Sequence, residues 1–275
     1  MSKIVGAIMT SHSPSIMAAD NAGKHNEAEW RPLFDGLASL HRWLEKCEPD
    51  LLVIVTSDHV DHFDLRYGWP TFAIAAAKEY PIADEGGGVR DLPPIPGDRS
   101  FALALGERMV DLGIDLSIAH EYRADHGIHS PLPLINGSWR WPVVILHLNT
   151  LFSPLPTTQR VYDFGAALGQ GIRELTIERR VALVALGGMS HELVGPMFGR
   201  VAAEWDRTCM DMITENPEEL LKFTAKDIEE RGGSEGLEIY HWLAVRSAVG
   251  THPKLRVRFY YPHRRMGYGG LGFEP

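Results

Sequence analysis

Five short apolar runs recur along this chain, and none alternates with polar residues: Ile4–Met9, Leu51–Thr56, Thr71–Ala76, Pro142–Leu148 and Val181–Leu186. A strand that faces water on one side alternates apolar with polar, whereas a strand that is apolar throughout is buried on both faces. Between the runs lie longer stretches with apolar residues at helical spacing. In Glu27–Cys47, the residues Trp30, Leu33, Leu37, Leu40, Trp43 and Leu44 share one face. Together the two patterns predict a single three-layer α/β/α domain over residues 1–275, with a mostly parallel or mixed central sheet.

The remaining elements follow from local signals. Asp98-Arg99-Ser100 opens a helix that runs through Leu112, and helices are expected over Thr158–Glu178, Phe198–Thr214 and Pro217–Arg231. Ser234 reads as the N-cap of a helix through Ala248, just after the Gly232-Gly233 break. Leu116–His120 and Leu255–Tyr261 are short strands. The Gly- and Pro-rich stretch Asp84–Asp98 is a loop, and the glycine-rich tail from Pro262 carries no expected element.

Composition removes several function classes. The 27 basic and 36 acidic residues give a formal charge of −9 with no basic block, which argues against a nucleic-acid or membrane-surface binder. No apolar run approaches the ~18 residues of a membrane span, and the opening residues lack a signal-peptide pattern, so a reducing cytoplasm is the expected location. Cys47 and Cys209 form neither a disulfide framework nor a CxxC metal site. There is no Walker-type phosphate loop and no Gly-x-Ser-x-Gly elbow. Gly86-Gly87-Gly88 lacks the preceding strand of a dinucleotide fingerprint.

Histidine is the outlier, with thirteen copies, and its placement is more informative than its number. His12, His59, His126 and His191 each follow a predicted strand. Ligands in open α/β sheets bind at the carboxyl ends of the strands. If these strands run parallel, four loops deliver imidazoles to one edge; an antiparallel strand would send its end to the other side. The other histidines read as surface or capping residues, with His147 a core residue inside a strand. Two histidines with one carboxylate suit a non-haem Fe(II) oxygenase. The same ligands around Zn²⁺ suit a hydrolase, and the string Asp58-His59-Val60-Asp61-His62 adds to that alternative. The carboxylate is expected from Glu235 or Glu238.

Several ordered strings carry a family likeness. They are Ser11-His12-Ser13-Pro14, Asp58-His59, Pro70–Ile74, Ala83-Asp84-Glu85-Gly86, Asp125-His126-Gly127 with Pro131-Leu132, Gly187–His191 and Gly233-Ser234-Glu235-Gly236. Over residues 4–261 the chain resembles the class III extradiol ring-cleaving dioxygenases, with the β (catalytic) subunits of the protocatechuate 4,5-dioxygenases as its nearest branch. The resemblance implies Fe(II) held by His12, His59 and Glu235, with His191 as active-site base and His126 beside the substrate and O₂. It implies a catecholic aromatic acid as substrate: protocatechuate, gallate, methylgallate or a lignin-derived catechol. It also implies a homo- or hetero-oligomer; the family's small α subunit has no counterpart in this chain, which leaves either a separate polypeptide or an enzyme that works without one. The Ser-Asn pair of the protocatechuate enzymes is missing. Arg264 and Arg265 stand in that region and are the expected readers of a substrate carboxylate. A catalytically inactive family member would be free to lose His12, His59, Glu235 and His191, and here all four are present.

Overall fold

The protein is described by a computed structural model, in which residues 1–85, 91–194 and 196–275 are placed. In chain order the elements are β1 (Lys3–Thr10), α1 (Pro14–Asn21), α2 (Arg31–Cys47), β2 (Leu51–Thr56), β3 (Phe72–Ala75), β4 (Glu79–Tyr80) and β5 (Ile95–Pro96). Then come α3 (Arg99–Asp111), β6 (Ser117–Ala119), α4 (His126–His129), α5 (Leu132–Asn136), β7 (Val143–Leu148), α6 (Thr158–Glu174) and β8 (Arg180–Leu186). The chain ends with α7 (Ala203–Glu215), α8 (Ala225–Gly232), α9 (Ile239–Val249), β9 (Lys254–His263) and β10 (Met266–Glu274).

Eight strands form one mixed sheet in the order β6-β3-β7-β2-β8-β1-β10-β9. The four central strands β7, β2, β8 and β1 are mutually parallel. Their uniform apolarity has the expected cause, since successive side chains enter two separate cores. On β2, Leu51, Val53 and Val55 join one cluster with α3, α6 and α9, while Leu52 and Ile54 join the other with α2 and α5. The result is an α/β architecture with helices on both faces of the sheet. Among the described residues no helix is long and apolar enough to cross a membrane. Cys47 and Cys209 are buried free thiols. The run Gly86-Gly87-Gly88 lies outside the described residues.

Three expectations change. First, the tail after Pro262 is structured: β9 continues to His263, and β10 pairs antiparallel with both β9 and β1. Glycines hid this strand, yet they let it fit, because a Cβ on Gly269 would stand 3.1 Å from Met189 and one on Gly270 would stand 2.2 Å from the Phe259 ring. Second, Ser234 does not cap a helix. Its Oγ accepts the Leu193 N–H at 3.0 Å, and α9 begins only at Ile239, after a 3₁₀ turn over Gly236–Glu238. Third, β6 pairs parallel with β3, which is antiparallel to β7, so β6 runs against the central strands. His126 therefore does not come from a strand end on the shared edge. The chain returns from β6 through Tyr122–Asp125, held to Pro81–Ala83 by paired backbone hydrogen bonds at Ala124.

Helices α6 and α9 cross closely over the sheet because Gly165 and Gly169, one turn apart, carry no side chain. A Cβ on either would stand 2.1 or 2.2 Å from the carbonyl oxygens of Ala244 and Ala248. Backbone atoms cannot yield as a flexible side chain would, so overpacking here forces the helices apart. Gly169→Leu is expected to lower stability by about 2 kcal/mol or more, read as a reduced urea midpoint with an unchanged slope.

Candidate active site

The carboxyl ends of β1, β2 and β8 open on one edge, and three of the expected histidines stand there. His12 follows β1, His59 follows β2 and His191 follows β8. The His12 and His59 ring centroids are 4.9 Å apart, and His126 packs 4.2 Å from His59 and 5.6 Å from His12. All four line a cavity of about 770 Å³, together with Glu235 and Glu238.

Between the first two imidazoles lies a carboxylate. Oε1 of Glu238 is 3.0 Å from His12 Nε2 and 3.3 Å from His59 Nε2, and its Oε2 accepts the Gly188 N–H at 2.7 Å. This is Glu238, not the expected Glu235. The 3₁₀ turn over Gly236–Glu238 carries the second glutamate inward, while Glu235 remains on the cavity wall. Burial and the neighbouring Glu238 charge raise the Glu235 carboxyl. Burial alone would raise Glu238 too, but the His12 charge and the hydrogen bonds from His12 and His59 hold it well below the usual range.

Asp125 sets the orientation of His59. Its Oδ2 accepts from His59 Nδ1 at 3.1 Å and from the His59 backbone N–H at 2.7 Å, and its Oδ1 caps α4 through Gly127 N at 2.9 Å. The buried Asp125 carboxyl is pulled down to about 2, the His59 charge and hydrogen bonds overriding burial. His59 thus has a carboxylate at each ring nitrogen. Burial would lower it, but Asp125 and Glu238 raise it well above its ordinary value. His12 is lowered by burial, against the pull of Glu238.

A divalent cation fits this set. His59 Nε2 needs positive charge between itself and Glu238, and a metal supplies it as well as a proton does. Adjacent ligands on a cation with bonds of about 2.1 Å stand about 3 Å apart, matching the separations of 3.0 and 3.3 Å. Neutral nitrogens plus one carboxylate suit a borderline divalent ion. The imidazoles of His12, His59 and His126 also offer one nitrogen each within 4.8 Å of one another. Gly127 seals the floor: a Cβ there would stand 2.8 Å from His59 Cε1 and 3.1 Å from His12 Cε1.

His191 is held from below. Its Nδ1 donates to the Met189 carbonyl at 3.0 Å, which leaves Nε2 as the acceptor nitrogen of the neutral ring. The segment before it is pinned by Asp206, which accepts from Ser190 N at 2.8 Å, Ser190 Oγ at 2.8 Å and Tyr260 OH at 2.6 Å. Gly233, at φ 95°, brings the following segment against His191, where a Cβ would stand 2.3 Å from the His191 carbonyl oxygen.

These residues lie within a longer match. Residues 6–272 match the family model described as the catalytic LigB subunit of aromatic ring-opening dioxygenase. The chain belongs to this family. It is 33% identical to a gallate dioxygenase of Pseudomonas putida over 70% of the chain, a match that spans 58% of that relative's length. It is 27% identical to a 2,3-dihydroxyphenylpropionate/2,3-dihydroxicinnamic acid 1,2-dioxygenase of Azotobacter vinelandii, covering 86% of this chain and 90% of that one. An uncharacterized protein of Escherichia coli K12 shares the fold at a TM-score of 0.62 and 18% identity, covering 98% and 99% of the two chains.

The two arginines differ within this family site. Arg264, at φ 54° in the β9–β10 turn, donates from Nε to Glu29 Oε1 at 2.8 Å and lies over Trp30. Arg265 lies over the Phe198 ring at 4.5 Å and pairs with no carboxylate among the described residues. Both line the cavity. His62 stays outside it, packed on Tyr122. Asp125 stands in the Asp125-His126-Gly127 string, and the sequence pattern alone assigns it no role. Its signal was its place beside a candidate histidine.

Beneath the site, His147 is buried within β7. Its Nδ1 accepts the Asp58 N–H at 3.0 Å and its Nε2 donates to Pro70 O at 3.2 Å, so it is a satisfied core residue. Burial lowers it to about 3. Its neutral form is intact above its unfolded value near 6.5, so stability is lost as pH falls from 6.5 toward 3. His147→Asn, which keeps an acceptor, should flatten the pH dependence of unfolding free energy over that window by up to about 1.4 kcal/mol per pH unit, read by urea titrations at stepped pH.

Proposed function

We propose that this chain is a non-haem Fe(II)-dependent extradiol dioxygenase that opens the ring of a catecholic aromatic acid with O₂, and that residues 1–275 act as one catalytic unit. The observation that carries the reading is the convergence of His12 and His59 on one buried Glu238 oxygen at the floor of an open cavity. In this reading His12, His59 and Glu238 hold the metal, and Glu238 takes the place first expected of Glu235. Fe(II) bound there supplies the redox chemistry that lets O₂ react with a catechol.

The protein's own groups handle protons and position. His191, with Nδ1–H committed to the Met189 carbonyl, offers Nε2 to a phenolic hydroxyl, takes its proton and later returns it as an acid. Asp125 keeps the His59 ring turned so that Nε2 faces the cavity. Leu193 and Phe198 give the cavity an apolar side for an aromatic ring, and its volume lies within the range of small-molecule sites. At the mouth, Glu29 neutralises Arg264, so Arg265 is the guanidinium left to read a carboxylate.

The test is reconstitution with Fe(II) under anaerobic conditions, followed by oxygen uptake over a panel of catechols. Uptake with formation of a yellow ring-opened product is expected; zinc-dependent hydrolysis without oxygen uptake overturns the reading. Glu238→Gln should lose bound iron, and Glu235→Gln should retain it, as read by metal analysis of the reconstituted variants. Arg265→Ala should raise KM about tenfold or more for a carboxylated catechol and leave plain catechol nearly unchanged, whereas Arg264→Ala should change either KM by less than threefold. Equal effects of the two arginine variants would remove Arg265 from this role.

A further inference from the structure

His126 sits against His59 with one ring nitrogen already spoken for. Its Nδ1 is 2.5 Å from Glu85 Oε1, and its backbone N–H donates to Glu85 Oε2 at 2.7 Å. The same Oε2 accepts from His129 Nε2 at 3.1 Å, one turn further along α4. A single carboxylate therefore grips the backbone and the ring of His126 at once, and braces both against the neighbouring turn. Glu85 belongs to none of the groups placed at the metal. It stands at the end of the segment Pro81–Glu85, whose hydrogen bonds to Ala124 also hold the returning chain.

The chemistry of the contact decides the ring state. An ionised carboxylate only accepts, so Nδ1 must carry a hydrogen. Burial would raise the Glu85 carboxyl, but hydrogen bonds from His126 and His129 pull it far below the usual range and keep it ionised. Nε2 is then the nitrogen turned from Glu85, and it has no hydrogen-bond partner among the described residues. An unrestrained imidazole rotates and samples both tautomers; this one is held in one orientation, with its ring on the His59 side of the cavity.

We propose that Glu85 is a positioning residue for the reaction: by gripping His126 at Nδ1 and at its backbone N–H, it holds Nε2 toward the cavity, where that bare nitrogen accepts a hydrogen bond from a substrate hydroxyl. The role rests on the ring-opening reading above. Glu85 touches neither substrate nor metal and acts only through His126. Glu85→Gln tests the grip directly. The amide keeps one acceptor, but its NH₂ faces the N–H donors of His126 and His129, so it cannot satisfy all three contacts.

Two measurements separate this role from a general one. In metal-free protein, long-range ¹H–¹⁵N spectra of labelled histidine should show His126 protonated at Nδ1. Glu85→Gln should shift it toward the Nε2–H tautomer, with the signals of the histidines other than His126 and His129 unmoved. An Nε2–H tautomer in the unmodified protein overturns the proposal. In the Fe(II) enzyme, Glu85→Gln should lower kcat about 10- to 100-fold, with KM within about twofold and iron retained. In a His126→Ala background the same substitution should have no further effect, and Glu85→Asp should restore part of the loss. A full additional loss in that background would show that Glu85 acts on the fold and not through His126. If the spectra fit while no catechol takes up oxygen, the ring-opening reading fails and the grip on His126 stands.

Discussion

The Glu238 carboxylate accepts from three directions: His12 and His59 on one oxygen, the Gly188 N–H on the other. Each donor belongs to a different strand end, β1, β2 and β8, and the glutamate itself belongs to the turn before α9. A buried carboxylate without such partners would be costly, by several kcal/mol. With them it ties four segments to one point. The geometry of the cavity floor follows from that tie, and so does the need for positive charge between the two imidazoles and the shared oxygen.

Small residues let the tie form. Gly187, at φ 145°, passes so close to His241 that a Cβ would stand 2.3 Å from its Nδ1 and 3.1 Å from the Glu238 Cβ. Gly165 and Gly169 let α6 approach the backbone of α9, the helix that follows the Glu238 turn. Gly127 leaves room for the two imidazoles. In these places the side chain that is absent decides the distance, and a methyl group would move an imidazole or a helix. Around this frame each imidazole is steered by a second group: Asp125 for His59, the Met189 carbonyl for His191 and Glu85 for His126. The three partners fix which nitrogen of each ring faces the cavity.

Much of this was legible in the chain. The central strands were readable because double burial demands apolar residues at every position, and the helices because one face must be apolar. His12, His59 and His191 were readable as neighbours once the strands before them were taken as parallel. The C-terminal hairpin was not readable, because its strand β10 carries Gly267, Gly269, Gly270 and Gly272, a composition that signals a loop. Those glycines answer to Asp206, Met189, Phe259 and Val257 across space. His126 was placed correctly beside the other histidines but by a wrong route, since β6 runs against the central strands and the chain turns back before α4.

The amino-acid sequence by itself determined the α/β class, the run of strands that meet at one edge, and the residue types that collect there. Periodicity and burial are local properties, and residue order carries them. Tertiary structure alone decided which glutamate lies between His12 and His59, which of Arg264 and Arg265 is paired with a carboxylate, and which nitrogen of each imidazole faces a fixed partner. Those choices turn on a few ångströms and on hydrogen-bond partners distant in the chain: Glu238 lies 226 residues from His12, and Glu29 lies 235 from Arg264. Spacing along a chain does not encode such distances; they arise only when the packed sheet and helices bring the partners together.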